Sequence, residues 1–181
     1  MKQFVEFVTK VAEMHDGQYR KNGVTPFIVH PMRVAMSVGY TNDHPATYVA
    51  LAHDIIEDCP NHQEFVDWMF GEWDVSTALK ARIHQGVLEL TKDEGIHPRA
   101  AKWADQIAKV MNSRHTYIRE IKIYDRIDNL LDMEHDDFFW NVYLPESWDL
   151  YEAVDQSDVS EWRVRELYNV IAGLDCIREG I

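Results

Sequence analysis

Apolar residues recur every three or four positions along most of the chain, the spacing that places them on one face of an α-helix. In residues 2–15, Phe4, Val8 and Val11 share such a face. The same spacing predicts further helices over residues 31–39, 45–59, 62–70, 74–92, 98–113, 117–133 and 160–178. Because no stretch alternates apolar and polar residues as a half-buried strand does, we predict an all-α fold in one domain spanning residues 1–181.

The segment 135–160 differs from the rest, because it is acidic, rich in aromatic residues and interrupted by Pro145. We predict an irregular insertion or lid with short helices, followed by the C-terminal helix 160–178. Two interpretations stay open for its aromatic side chains: they stack on the base of a ligand, or they form a small local core of their own.

Charge and composition exclude several classes of partner. The 181 residues carry a formal net charge of −13, and a field of that sign repels nucleic-acid backbones and anionic membranes. No apolar window of about 18 residues suggests a membrane span, and no signal peptide is evident. Cys59 and Cys176 are far apart in sequence and belong to no CxxC pair, so we expect a reducing, cytoplasmic location.

Four ionisable residues crowd the end of the predicted helix 45–59: His53, Asp54, Glu57 and Asp58. Burying carboxylates on a helix that is otherwise apolar costs several kcal/mol each unless a positive group compensates. A divalent cation is a natural compensator, since imidazole and carboxylate are both metal ligands. The alternative is an acidic, solvated helix end. Cys59 has no evident electropositive setting, which argues against a nucleophilic thiolate.

Other candidate residues lie elsewhere in the sequence. Asp125 and Asn129 are one turn apart on the predicted helix 117–133. Asp125 is either a metal ligand or the ion-pair partner of Lys122 or Arg126. His30, next to a proline, is either a ligand or an ordinary buried histidine.

Three segments together resemble the hydrolase domain of RelA/SpoT-type alarmone enzymes, which are HD-domain metallophosphohydrolases. They are HDGQYRKNGVTPFIVHPMRVA (15–35), ALAHDIIEDCP (50–60) and IKIYDRIDNL (121–130). The similarity is strongest to the small stand-alone alarmone (ppGpp) hydrolases. It implies a helical HD-domain bundle around one metal site. Phe27, Cys59, Tyr124 and Asp128 depart from the residues usual in the family. Tyr124 and Asp128 would lie next to the nucleotide pocket, which leaves the preference for base and sugar open.

The resemblance also implies roles for individual residues. The ligands of one divalent ion per chain, usually Mn²⁺ in this family, would be His30, His53, Asp54 and Asp125. Glu57 and Asp58 would be the catalytic acidic pair. The nucleotide would be held by Arg20, Lys21 and Asn129, whereas Arg20 and Lys21 taken without the resemblance favour a solvated basic turn.

The function implied is hydrolysis of guanosine 3′,5′-bis(diphosphate) to GDP and pyrophosphate by a water molecule that the metal activates. Two alternatives stay open. One is hydrolysis of another nucleotide, such as an adenosine analogue of the alarmone, another 3′-phosphorylated nucleotide or a nucleoside monophosphate. The other is a non-catalytic, nucleotide-binding regulator. The expected partner is thus a small nucleotide, and the sequence identifies no protein partner.

Overall fold

The structure, a computed structural model, describes residues 1–39 and 45–180, and α-helices dominate this part of the chain. The helices are α1 Lys2–Met14, α2 Val29–Val38, α3 Pro45–Ala52, α4 Ile55–Asp58, α5 His62–Gly71, α6 Thr77–Leu90, α7 Arg99–Asn112, α8 Thr116–Asp132, α9 Leu144–Asp155 and α10 Glu161–Glu179. Within the described ranges, β pairing is confined to one isolated bridge between Tyr19 and Pro26. The predicted all-α class is therefore confirmed. None of the helices in these ranges combines the length and the apolar character needed to cross a bilayer.

The chain forms two compact units, Met1–Lys92 and Asp93–Ile181. In the first unit α3 is the central helix, with α1, α2 and α6 packed against it. All residues of α3 after Pro45 are buried, which explains why its sequence is apolar on every side rather than amphipathic.

Aromatic rings fill the first unit between α1 and its neighbours. Phe7 is fully buried, and its ring centroid lies 5.0 Å from that of Tyr48, 5.5 Å from Phe65 and 4.9 Å from Trp73. Such tilted and edge-on ring pairs stabilise a core beyond the apolar area that they bury.

The helix predicted over residues 45–59 is interrupted at His53 and Asp54, where α3 ends and the short helix α4 begins. His53 Nδ1 lies 2.7 Å from the carbonyl oxygen of Ala50, which is the acceptor that a continuous helix assigns to the amide of Asp54. The imidazole therefore competes for this carbonyl, as polar side chains do when they break a helix locally.

The second unit is built around α8, which contacts α7, α9 and α10. Arg126 of α8 is buried, with its guanidinium carbon 4.2 Å from the ring centroid of Trp103 and 3.9 Å from that of Tyr143. Glu146 lies 3.8 Å from the same guanidinium. Two aromatic faces and one carboxylate thus compensate a buried positive charge.

The segment 135–160 is more regular than the sequence suggests. A π-helical turn at Phe139–Tyr143 leads directly into α9, and Pro145 lies in the first turn of that helix, where a proline needs no amide partner. Phe139, Leu144 and Leu150 are buried. These side chains contribute to the core of the second unit. The single-domain organisation over 1–181 stays a prediction.

Replacing Phe7 with alanine should destabilise the protein by about 3–5 kcal/mol, because the cavity among three aromatic rings cannot close. Urea unfolding followed by circular dichroism measures the change. Val5→Ala, at a position on the same helix that is 56% exposed, is the control and should change the free energy of unfolding by less than about 0.5 kcal/mol. Equal effects of the two substitutions would contradict the packing described here.

Candidate metal centre

Three predicted metal ligands come together in the first unit. His30 in the first turn of α2, and His53 and Asp54 at the break between α3 and α4, place one ligand atom each within 4.8 Å of one another. The Nε2 atoms of His30 and His53 lie 3.3 and 3.1 Å from the two carboxylate oxygens of Asp54. Both imidazoles are buried, and the Asp54 side chain is 16% exposed.

The hydrogen bond that interrupts the helix also fixes the tautomer of His53. A carbonyl oxygen can only accept, so Nδ1 of His53 carries the proton that is donated to Ala50. Nε2 of the neutral ring is then a lone-pair donor directed at the cluster. A backbone carbonyl that orients the imidazole in this way is a common feature of metal-binding histidines.

The charge of Asp54 needs local compensation. Burial raises the pKa of the Asp54 carboxyl, but the adjacent imidazoles of His53 and His30, in their protonated form, outweigh burial and hold this pKa well below its ordinary value. When the rings are neutral, a bound cation supplies the compensating charge instead. Asp54 is therefore a carboxylate at neutral pH. Two imidazole nitrogens and one carboxylate form a mixed nitrogen and oxygen donor set that suits a divalent transition-metal ion, so these residues fit the predicted metal.

Glu57 and Asp58 lie on α4, next to the cluster, in different surroundings. Both oxygens of Glu57 accept hydrogen bonds from Lys92: the backbone amide reaches Oε1 at 2.6 Å and the ammonium reaches Oε2 at 2.7 Å. Asp58 is exposed. Partial desolvation, then the charges of Asp54 and Glu57, raise the pKa of Asp58 to about 6. Lys92 follows α6 and lies outside every motif of the sequence.

A second residue that the sequence analysis passed over, Gln18, connects the loop after α1 with α4. Its amide nitrogen donates to the backbone carbonyl of Asp58 at 3.0 Å, and its amide oxygen lies 2.8 Å from Nδ1 of His15. His15 is buried and stacks on Phe27 with the ring centroids 4.7 Å apart. These contacts hold the loop against the acidic end of the site.

Arg20 and Lys21 lie in this loop, between Gly17 and Pro26. The amide of Arg20 donates to the carbonyl of Thr25 at 2.8 Å, and the guanidinium lies 5.5 Å from the ring centroid of Phe27. Lys21 is exposed. Two of the three predicted nucleotide-binding residues, Arg20 and Lys21, thus lie in an ordered turn of the first unit.

Asp125 and Asn129 lie on α8 of the second unit. Asp125 is buried and pairs with Lys122 at 2.8 Å, which is the alternative partner that the sequence analysis left open. Asn129 donates to the Asp125 carboxylate at 2.6 Å. The hydroxyl of Tyr124 donates to Glu166 of α10 at 3.0 Å. The roles of Asp125 as a ligand and of Asn129 in nucleotide binding stay predictions.

Known proteins resemble this chain in sequence and in fold, although no family model matches it. A guanosine-3′,5′-bis(diphosphate) 3′-pyrophosphohydrolase of Haemophilus influenzae is 34% identical over 121 residues, which are 65% of this chain and 17% of that protein. Guanosine-3′,5′-bis(diphosphate) 3′-pyrophosphohydrolase MESH1 of Danio rerio is 29% identical over 175 residues, which are 94% of this chain and 87% of that protein. The chain thus spans most of one relative and a small part of the other.

A solved structure of a metazoan orthologue of SpoT that hydrolyses ppGpp matches the fold with a TM-score of 0.72 at 22% identity. The match covers 93% of this chain and 95% of that one. The fold similarity confirms the all-α fold that the sequence predicted, and the similar sequences confirm the resemblance to alarmone hydrolases.

Cys59 should be inert to thiol reagents in the folded protein. It is buried, and burial, followed by the nearby Asp58 charge, raises the pKa of its thiol to about 11. A thiol of this kind is almost entirely protonated at pH 8 and is a poor nucleophile. With Ellman's reagent at pH 8 we expect one rapidly reacting thiol per chain, that of the exposed Cys176. Cys176→Ser should remove the rapid phase, whereas a rapid phase that survives this substitution would contradict the burial of Cys59.

Proposed function

We propose that this chain, a homologue of the RelA/SpoT-type alarmone hydrolases, is a divalent-metal-dependent hydrolase that converts guanosine 3′,5′-bis(diphosphate) and water into GDP and pyrophosphate. One observation carries the proposal: His30, His53 and Asp54 form a buried cluster of metal-binding groups beside Glu57 and Asp58. The names of the Haemophilus and Danio relatives supply the substrate.

The metal would be held by His30, His53 and Asp54. We further propose Mn²⁺ as the ion and Asp125 as an additional ligand, both on the strength of the sequence resemblance. A divalent cation supplies Lewis acidity toward water and a phosphoryl oxygen. The chain contributes the Asp54 carboxylate, which is already ionised. It also contributes the His53 imidazole, whose tautomer leaves the Nε2 lone pair available to bind the metal.

Asp58 is proposed as the group that takes the proton from the attacking water. Its side chain is exposed and can therefore meet a substrate, and its raised pKa of about 6 lies near the working pH, where a general base is most effective. Glu57 is less suited to this role, because donors of Lys92 occupy both of its oxygens.

The basic turn that carries Arg20 and Lys21 is proposed to bind the phosphate groups of the substrate, together with Asn129. With a net charge of −13, the chain as a whole repels a polyanion. Local cations are therefore needed to bring a nucleotide with four phosphate groups to a site rich in carboxylates.

Asp54→Asn should abolish both metal retention and hydrolysis, because it removes the carboxylate between the two imidazoles. Metal content is measured by elemental analysis of the purified protein, and pyrophosphate release is measured after chelation and re-addition of Mn²⁺. Asp67→Asn makes the same charge change on the exposed face of α5, and it should retain the metal and the wild-type rate. Undiminished hydrolysis by Asp54→Asn would refute the proposal.

A substrate panel separates the proposed activity from its alternatives. It contains guanosine 3′,5′-bis(diphosphate), its adenosine analogue, a nucleoside 3′-phosphate and nucleoside monophosphates. The highest kcat/KM for the guanosine alarmone supports the proposed substrate. A higher value for another member favours the first alternative, and tight alarmone binding without turnover of any member favours a regulator.

Asp58→Asn should lower kcat by roughly 10²- to 10⁴-fold, the range expected for loss of a general base, while the metal content stays at the wild-type value. The steady-state rate and the elemental analysis are measured on the same preparation. A variant that retains more than about a tenth of the wild-type kcat with its metal in place would assign the proton transfer to another group.

A further inference from the structure

We propose that Lys92 is a positioning residue for the reaction proposed above: it fixes the carboxylate of Glu57 in a single orientation by donating to both of its oxygens. This inference rests on the proposed function, and it assigns a role to a residue that none of the three sequence motifs contains.

The backbone amide and the ammonium of Lys92 both donate to Glu57, and the segment that carries them is anchored to α6. The backbone amide lies two residues beyond α6, at 2.6 Å from Oε1, and the ammonium lies at 2.7 Å from Oε2. Thr91, the C-cap residue of α6, donates a 2.8 Å hydrogen bond from its hydroxyl to the carbonyl of Val87. The segment that holds Glu57 is therefore anchored to the helix before it.

Partial burial makes this contact more effective than a typical surface ion pair. The Glu57 side chain is 19% exposed and that of Lys92 is 33% exposed, and charge-assisted bonds strengthen as water is excluded. Two bonds to the two oxygens of one carboxylate fix both the position and the plane of the group. A single salt bridge would leave the carboxylate free to rotate.

The charge of Lys92 also has a local purpose. Asp54, Glu57 and Asp58 place three carboxylates within five consecutive residues, and like charges at this spacing repel one another. The ammonium offsets the charge of Glu57. Asp58 stays exposed to solvent. Because Lys92 holds the Glu57 carboxylate, we expect Glu57 to keep its position when a polyanionic nucleotide approaches.

The test is a double-mutant cycle between Lys92 and Glu57. Lys92→Met keeps the length of the side chain and removes the ammonium. For this variant we expect kcat for guanosine 3′,5′-bis(diphosphate) hydrolysis with Mn²⁺ to fall by roughly 10- to 100-fold, the loss usual for residues that orient a site residue without touching the substrate. KM should stay within about twofold of the wild-type value. Lys92→Arg should restore most of the rate. In the Glu57→Gln background Lys92→Met should have little further effect, because its role is exercised through Glu57.

Lys102→Met is the matched control. Lys102 forms an ion pair of the same length, 2.7 Å, with Glu94, and neither residue belongs to the candidate site. This variant should keep the wild-type kcat and KM. A rise in KM at constant kcat for Lys92→Met, or losses that multiply in the double variant, would overturn the inference, because Lys92 would then act on the substrate directly.

Urea unfolding of the wild type, Lys92→Met, Glu57→Gln and the double variant tests the contact between Lys92 and Glu57 without any substrate. A non-zero coupling between Lys92 and Glu57 supports the contact, and additive effects on stability overturn it. The rate of the wild-type protein alone tests the proposed function. An inactive wild-type protein with a measurable coupling therefore refutes the substrate and not the contact, and an active one without coupling refutes the contact alone.

Discussion

The carboxylate of Asp54, held between two buried imidazoles, is the interaction on which the rest of the first unit depends. A carboxylate in this position is costly unless a positive charge compensates it. The Nε2 atoms of His30 and His53 lie 3.3 and 3.1 Å from its two oxygens, so the compensating charge comes either from protonated imidazoles or from a cation bound to the neutral rings. His30 lies in α2 and His53 directly follows α3, so the packing of α2 on α3 is a condition for the cluster to exist. An apolar central helix that is buried on all sides provides that packing, and it accounts for the composition of α3.

The same cluster explains why the helix cannot continue. His53 reaches back to the carbonyl of Ala50, and α3 ends one residue earlier, at Ala52. A continuous helix would present His53 and Asp54 about 100° apart around its axis. The interruption instead lets both neighbouring residues contribute to one cluster, while α4 restarts at once and places Glu57 and Asp58 beside it. A local loss of helical order is thus part of how the site is built.

Much of this could be predicted from the sequence, because helical periodicity is a strong signal in long amphipathic segments. The predicted boundaries of α1, α7 and α8 agree with the structure to within one residue. The break at His53 could not be predicted, since it depends on one side-chain bond to the backbone. The regularity of α9 was missed because Pro145 suggests an interruption, whereas in the first turn it is compatible with a helix. The family motifs imply His30, His53 and Asp54 as metal ligands, and the structure brings these three together, whereas their binding of a metal stays a prediction. Lys92 and Gln18 could not be predicted, because their contacts with Glu57 and Asp58 join residues 35 and 40 positions apart.

The two neighbouring acids, Glu57 and Asp58, have the same functional group in different surroundings. Both are carboxylic acids on the same turn of α4, yet donors of Lys92 occupy the oxygens of Glu57, whereas Asp58 is exposed and its pKa is raised to about 6. Sites that need both a fixed charge and a proton acceptor commonly obtain them in this way, from two similar groups in different surroundings. In the proposed mechanism Lys92, by fixing Glu57, leaves Asp58 as the acid that exchanges protons. Its proposed role is therefore indirect, because Lys92 contacts Glu57 from a position outside the sequence motifs.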